Sequence, residues 1–140
     1  MIKDDCIFCK IANGDIPSAT VYEDDDFRVI LDIAPAAKGH ALILPKQHYA
    51  NIWELGEEES KKVLALAAKV TKAQKAALSC DGINVLQNNG TAAGQTVFHF
   101  HMHLIPRNDG DDVVIPWNTL RYAEGEAQEV CDKIKACMEA

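Results

Sequence analysis

The hydrophobic positions along the chain change period several times, and each change predicts an element. Residues 57 to 78 repeat at helical spacing: Val63, Leu66, Ala67, Val70, Ala73 and Ala77 fall on one face at steps of three and four. Glu57, Glu58 and Glu59 occupy the first turn, where the helix dipole favours anions. Residues 7 to 13 predict a short helix stopped by Gly14. The stretch DIPSATVYEDDDFRVILD predicts two short strands around an acidic turn at Asp24 to Asp26. Gly39 breaks the chain, and HALILP reads as a buried strand ended by Pro45. GINVLQN, residues 82 to 88, predicts another strand, followed by a Gly-punctuated loop over 89 to 96 and a strand over 97 to 105. From Glu124 to Met138, the positions Val130, Ile134, Cys137 and Met138 predict a last helix docked on the rest.

The connections at 23–26 and 89–96 are short, so the strands should pair mostly antiparallel. The expectation is an α+β fold, a mostly antiparallel five-stranded sheet with one long helix and a C-terminal helix. No repeat and no Pro/Gly/Ser-rich linker interrupts the 140 residues, so one domain over 1–140 is expected.

Composition narrows the function. Hydrophobic residues make up 48% and charged residues 25%, which suits a globular chain with a real core. The net charge of −7 argues against a broad basic face for nucleic acid or an anionic membrane. A small anionic ligand needs only local donors and stays open. No apolar run is long enough to span a bilayer, and MIKDDCIFCK lacks the apolar stretch of a secretory signal. A cytoplasmic location is therefore expected. Five cysteines, odd in number and widely scattered, disfavour a disulfide framework. Cys80, Cys131 and Cys137 read as small buried or half-buried hydrophobes.

The stretch VFHFHMHLIPR holds three of the five histidines. On an extended strand, His99, His101 and His103 share a face with Val97 and Ile105, spaced roughly 6.6 Å apart at Cα. Phe98, Phe100, Met102 and Leu104 form the opposite face and should anchor the strand in the core. Three readings of the histidine row are open. The first is an ordinary core strand, a poor use of imidazoles that need both nitrogens satisfied. The second is a metal centre, awkward because the outer pair lies roughly 13 Å apart on a straight strand. The third is a catalytic strand on which one neutral imidazole is the nucleophile and the others orient it or its substrate. Cys6 and Cys9 form a CxxC pair, which as half of a zinc site needs two further ligands. His48 and His99 can supply them only if the fold brings the four together.

GQTVFHFHMHLIPR resembles the signature of the histidine triad (HIT) family, in which histidines alternate with hydrophobic residues after Gly-Gln-Ser/Thr. CIFCKIANGDIPSATVYEDDDFRVILDIAPAAKGHALILPKQH is similar to the N-terminal half of bacterial Hint-like members, so the resemblance covers residues 4 to 108. It implies a nucleotidyl hydrolase or transferase acting at the α-phosphate, through a covalent nucleotidyl-histidine on His101. It implies that His103 contacts the phosphate, that His40 is the separate upstream histidine, and that Thr96 supplies a hydroxyl near the phosphate or leaving group. Asn88, Gln95 and Gly94 match polar or backbone-donor positions around the phosphate. Asp32 matches the acid that holds the ribose hydroxyls, and Phe8, Ile11, Ile16, Ile30 and Ile33 match positions lining a pocket for a purine. Cys6, Cys9, His48 and His99 match the structural zinc ligands of some members, and no catalytic metal is required. A homodimer is also implied, with the long helix a candidate part of its interface. The favoured substrate is AMP-linked, such as a nucleoside phosphoramidate. The alternatives are a dinucleoside polyphosphate or a nucleotide-binding regulator with little turnover.

Overall fold

Five strands build one antiparallel sheet in the order β1-β2-β3-β5-β4. In the computed structural model, which describes residues 1–138, these are β1 (Thr20–Glu23), β2 (Phe27–Leu31), β3 (Ala41–Pro45), β4 (Gly82–Gln87) and β5 (Met102–Arg107). The helices are α1 (Ile7–Ala12), α2 (Glu57–Leu78) and α3 (Glu126–Met138). The α+β expectation and the elements up to residue 88 agree with this architecture to within a residue or two at their ends.

Alternation in the two central strands decides the layering. Phe27 and Val29 of β2 and Ala41 and Ile43 of β3 point to one face, where Val63, Leu66, Ala67 and Val70 of α2 cover them. Ile30, Leu42 and Leu44 point to the other, where Ala12, Phe8 and Ile11 of the α1 segment cover them. Strand β3 is buried along its whole length, which is why ALILP reads as a continuous apolar run. The chain enters β3 through Gly39 at φ +87°, with Leu78 at the end of α2 so close that a Cβ would meet its side chain at 2.3 Å. The backbone angle favours glycine there, while the Leu78 methyl is the end of an exposed, flexible side chain that can give way.

Four expectations need correction. The last strand is Met102–Arg107 rather than 97–105. Its ladders stop at Met102, opposite Ile43 on one side and Gln87 on the other. Residues 97 to 101 bend instead: the Phe100 N–H donates to Tyr49 O, and the His99 ring takes the Pro45 carbonyl. Phe98, expected as a core anchor, is therefore half exposed, while Phe100 is fully buried. Helix α3 exists as expected but is not docked: none of its residues is buried, and Ile134 and Met138 are exposed. Cys131 and Cys137 are accordingly exposed, whereas Cys80 is buried as expected.

Candidate active site and metal centre

The bend at 97–101 turns neighbouring histidines to different places. His99 is completely buried; its Nε2–H donates to Pro45 O at 2.9 Å, which leaves the Nδ1 lone pair free. That Nδ1 lies 3.4 Å from both the Cys6 and the Cys9 sulfur. His48 Nδ1 lies 3.4 Å from the Cys9 sulfur, and the four ligand atoms all fall within 4.8 Å of one another. The α1 turn supplies the two thiols, since Cys6 caps the helix and its sulfur accepts the Cys9 N–H. Zinc bonds of about 2.0–2.3 Å in a tetrahedron need ligand atoms at such separations. Two thiols and two imidazoles, one oriented by a backbone carbonyl, are a donor set that fits zinc. Burial lowers the His99 pKa to about 4 and pushes the Cys9 thiol up, so the imidazole is neutral and ready to ligate.

His101 is buried but borders the cleft on the other side. Its Nδ1–H donates to the His99 carbonyl at 2.8 Å, and this fixes the tautomer with a bare Nε2. Burial also lowers its pKa, so Nε2 carries a lone pair rather than a proton near neutrality. A second chain of bonds orients His103. The Ala36 N–H donates to His40 Nδ1 at 3.0 Å, which puts the His40 proton on Nε2. That Nε2–H donates to His103 Nδ1 at 2.9 Å, and so His103 carries its own proton on Nε2, a donor. The two rings meet head-on, their centroids 5.2 Å apart with the bonded nitrogens between them. With an Asp32 carboxylate oxygen, the ligand atoms of His40 and His103 all lie within 4.8 Å of one another, so these three residues form a second group that could hold a metal ion. Burial lowers the pKa of both rings, that of His103 to about 4.

Around them lies a cleft of about 410 Å³. Phe8, Ile11, Ile16, Ile30 and Ile33 all line it, with Asp32, Thr96, His101 and His103. Ile33 is otherwise wholly exposed, and Asp32 Oδ2 stands 3.7 Å from His40 Nε2 while Oδ1 accepts the Ala34 N–H. The loop after β4 reaches the cleft through Thr96, with Val97 beside it; Asn88, Gly94 and Gln95 do not line it. Gly94 adopts φ +95°, a left-handed conformation that favours glycine, beside the Asn88 amide. Gln95 is buried and spent on that loop, donating to Ala50 O and Val97 O and accepting the Gly90 N–H. It braces Thr96 from behind; its amide is not free in the cleft. Ile7, Pro17, Leu42 and Val97 also line the cleft and were not foreseen. The three backbone groups that set tautomers, Pro45 O, His99 O and Ala36 N–H, carry no sequence signature.

Comparison with known proteins fits this geometry. The HIT domain model matches residues 13–110.

The chain belongs to the HIT family.

Among HIT relatives, adenosine 5′-monophosphoramidase hnt1 of Schizosaccharomyces pombe is 42% identical over 135 residues, 93% of this chain and 98% of that one. A crystal structure from Streptococcus mutans superposes with a TM-score of 0.92 at 39% identity, covering 97% of this chain and 87% of that one. A zinc-bound histidine triad protein from Mycobacterium smegmatis, 34% identical, has a TM-score of 0.75 and covers 95% and 97%. The antiparallel sheet with its helices is thus the HIT fold. Among the described residues, no helix is long and apolar enough to cross a membrane.

Proposed function

We propose that this HIT protein cleaves AMP-linked substrates at the α-phosphate, nucleoside phosphoramidates foremost, with His101 as the nucleophile. The observation that carries the reading is the bare Nε2 of His101, fixed by the His99 carbonyl and bordering a cleft apolar at one end and polar at the other. In the first step Nε2 forms a bond to phosphorus and the bond from phosphorus to the leaving nitrogen breaks. The leaving amine takes a proton from solvent, which the water of the second step returns, and the nucleotidyl group stays on His101. Water then attacks phosphorus, the P–N bond to His101 breaks and AMP leaves. The net reaction adds one water across the P–N bond.

The remaining residues position and neutralise. The His103 Nε2–H is a donor for a phosphoryl oxygen, presented by the His40 relay. The Thr96 hydroxyl and its own N–H add neutral donors, with Asn88 nearby; the Gly94 and Gln95 N–H groups are already given to Thr91 O and Gly90 O. Asp32 has two oxygens for a vicinal diol. Phe8, Ile11, Ile16, Ile30 and Ile33 offer apolar surface to a purine, with weak selectivity between bases. Cys6, Cys9, His48 and His99 would hold zinc, which when bound cross-links the N-terminal segment to the catalytic stretch and, with four protein ligands, leaves no open position for substrate. A homodimer in the cytoplasm is the expected form.

The test is turnover of an adenosine phosphoramidate followed by acid-free quenching and peptide mapping. The expected result is AMP release and an adenylated peptide spanning residues 97–107, both absent in His101→Ala. Binding of AMP without turnover or adduct, identical in wild type and variant, would show a nucleotide-binding regulator instead.

A further inference from the structure

Of three consecutive glutamates at the start of α2, Glu57 and Glu58 are exposed and pair with Lys61. Glu59 is buried and pairs with no cation among the described residues. The helix dipole favours acids in a first turn, but Glu57 and Glu58 already serve it from solvent, and a buried carboxylate is costly without partners. Glu59 Oε2 accepts the Tyr49 hydroxyl at 2.7 Å. That bond pushes the Tyr49 phenol up from its ordinary value, so the hydroxyl keeps its proton and donates. Gly56 leaves room for the pair. A Cβ there would lie 2.6 Å from the Tyr49 oxygen and 2.7 Å from Glu59 Oε1, so a side chain would displace one of the two. The chemistry at phosphorus uses neither Tyr49 nor Glu59.

The backbone of Tyr49 shows what the pair is for. Its carbonyl accepts the Phe100 N–H at 2.6 Å. That N–H belongs to the same planar peptide unit as the His99 carbonyl, which accepts the His101 Nδ1–H at 2.8 Å. Gripping one end of the plane therefore aims the other, and the other end sets the tautomer and direction of the His101 ring. The next residue repeats the hold: the Ala50 carbonyl accepts a Gln95 Nε2–H at 2.6 Å, just before Thr96. Two consecutive carbonyls thus frame the run from Thr96 to His99. Residues 46–56 form neither helix nor strand, so no ladder fixes those carbonyls. The Tyr49 ring does, packed against the core and bonded at its far end to α2. We propose that Tyr49 and Glu59 are positioning residues, whose bond ties the 49–50 backbone to α2 and so holds the peptide plane that orients His101. The kinetic consequence rests on the proposed cleavage; the effect on the His101 ring holds whether or not the chain cleaves nucleotides.

Three variants separate positioning from mere stability, each assayed with an adenosine phosphoramidate, by urea unfolding and by proton–nitrogen correlation of the imidazole rings. Tyr49→Phe removes the donor and leaves the Glu59 carboxylate buried without its partner, so stability should fall. Its kcat should fall about tenfold with KM unchanged, as loss of a group behind the reacting side chain does. Tyr49→Phe with Glu59→Leu replaces both partners by apolar groups, and should recover the stability but not kcat. Glu59→Gln keeps a carbonyl oxygen for the hydroxyl and should retain kcat. The His101 Nδ1–H signal should move in the first two variants and stay in place in Glu59→Gln. A kcat that returns with stability in the double variant overturns the proposal, as does a His101 signal unmoved by Tyr49→Phe. If the wild-type chain turns nothing over, the cleavage reading fails and the His101 signal alone decides the role of the pair.

Discussion

His99 and His101 are two residues apart and differ in almost every respect that matters. His99 gives its Nε2 proton to Pro45 and turns Nδ1 toward two thiols. His101 gives its Nδ1 proton to the His99 carbonyl and keeps Nε2 for the cleft. The same residue type thus offers opposite nitrogens to opposite partners. The difference comes from the backbone: a bent stretch at 97–101 aims successive side chains independently, where a straight strand would have lined them up. It also makes His99 a joint, since its ring serves the thiol cluster while its carbonyl orients the nucleophile.

The sharpest way to break this comparison is to delete each ring in turn. His101→Ala should lower kcat/KM for an adenosine phosphoramidate by about 10⁴-fold or more, as removal of a covalent nucleophile does. Its thermal midpoint should stay near wild type, because the bond lost lies at the cleft wall. His99→Ala should behave in the opposite order. Bound zinc should fall well below one equivalent by metal analysis. Unfolding in urea should show a loss of about 3 kcal/mol, from the cavity, the orphaned Pro45 carbonyl and the weakened metal site together. A His99→Ala protein that kept its zinc and stability would dissolve the distinction.

Smaller effects sharpen it. His40→Ala removes the bond that presents the His103 proton, and a loss of about 10²-fold in kcat is expected with the His101 adduct still detectable. Asp32→Ala should raise KM about tenfold with little change in kcat, read with a ribose-containing substrate against a ribose-modified one. Stability should also depend on pH through the cleft. The folded-state pKa of His103 lies near 4, below its unfolded value near 6.5. The unfolded chain therefore binds more protons in that window, so the contribution is present above pH 6.5 and is lost as pH falls toward 4. His103→Asn should flatten the stability profile between those limits.

Much of this was legible in the sequence because it is periodic. The α2 face, the alternation in FRVIL and the apolar run of ALILP each follow from burial, and each was found where its pattern predicted. The alternating histidines were legible as residues but not as geometry. Alternation suggests a strand, yet one backbone bond, Phe100 N–H to Tyr49 O, and one ring bond, His99 Nε2–H to Pro45 O, replace the ladder there. Such bonds depend on distant chain segments and leave no local trace. The four zinc-type positions came from resemblance, not from spacing, and only the fold brings Cys6 and Cys9 to His48 and His99. Gln95 illustrates the converse: its type suits a phosphate contact, but bonds to Ala50 O, Val97 O and the Gly90 N–H already engage it. The α3 pattern predicted a helix correctly and its docking wrongly, because an apolar stripe does not say which chain will cover it.

The central claim is that the three alternating histidines hold two different tautomers and serve three different partners. Long-range proton–nitrogen correlation of the imidazole rings in uniformly ¹⁵N-labelled protein, near neutral pH, tests it directly. The expected spectrum has His101 protonated on Nδ1, His103 on Nε2, and His99 on Nε2 with its Nδ1 shifted when zinc is added. A common tautomer for all three rings, or a zinc-dependent shift at His103 instead of His99, would contradict the account.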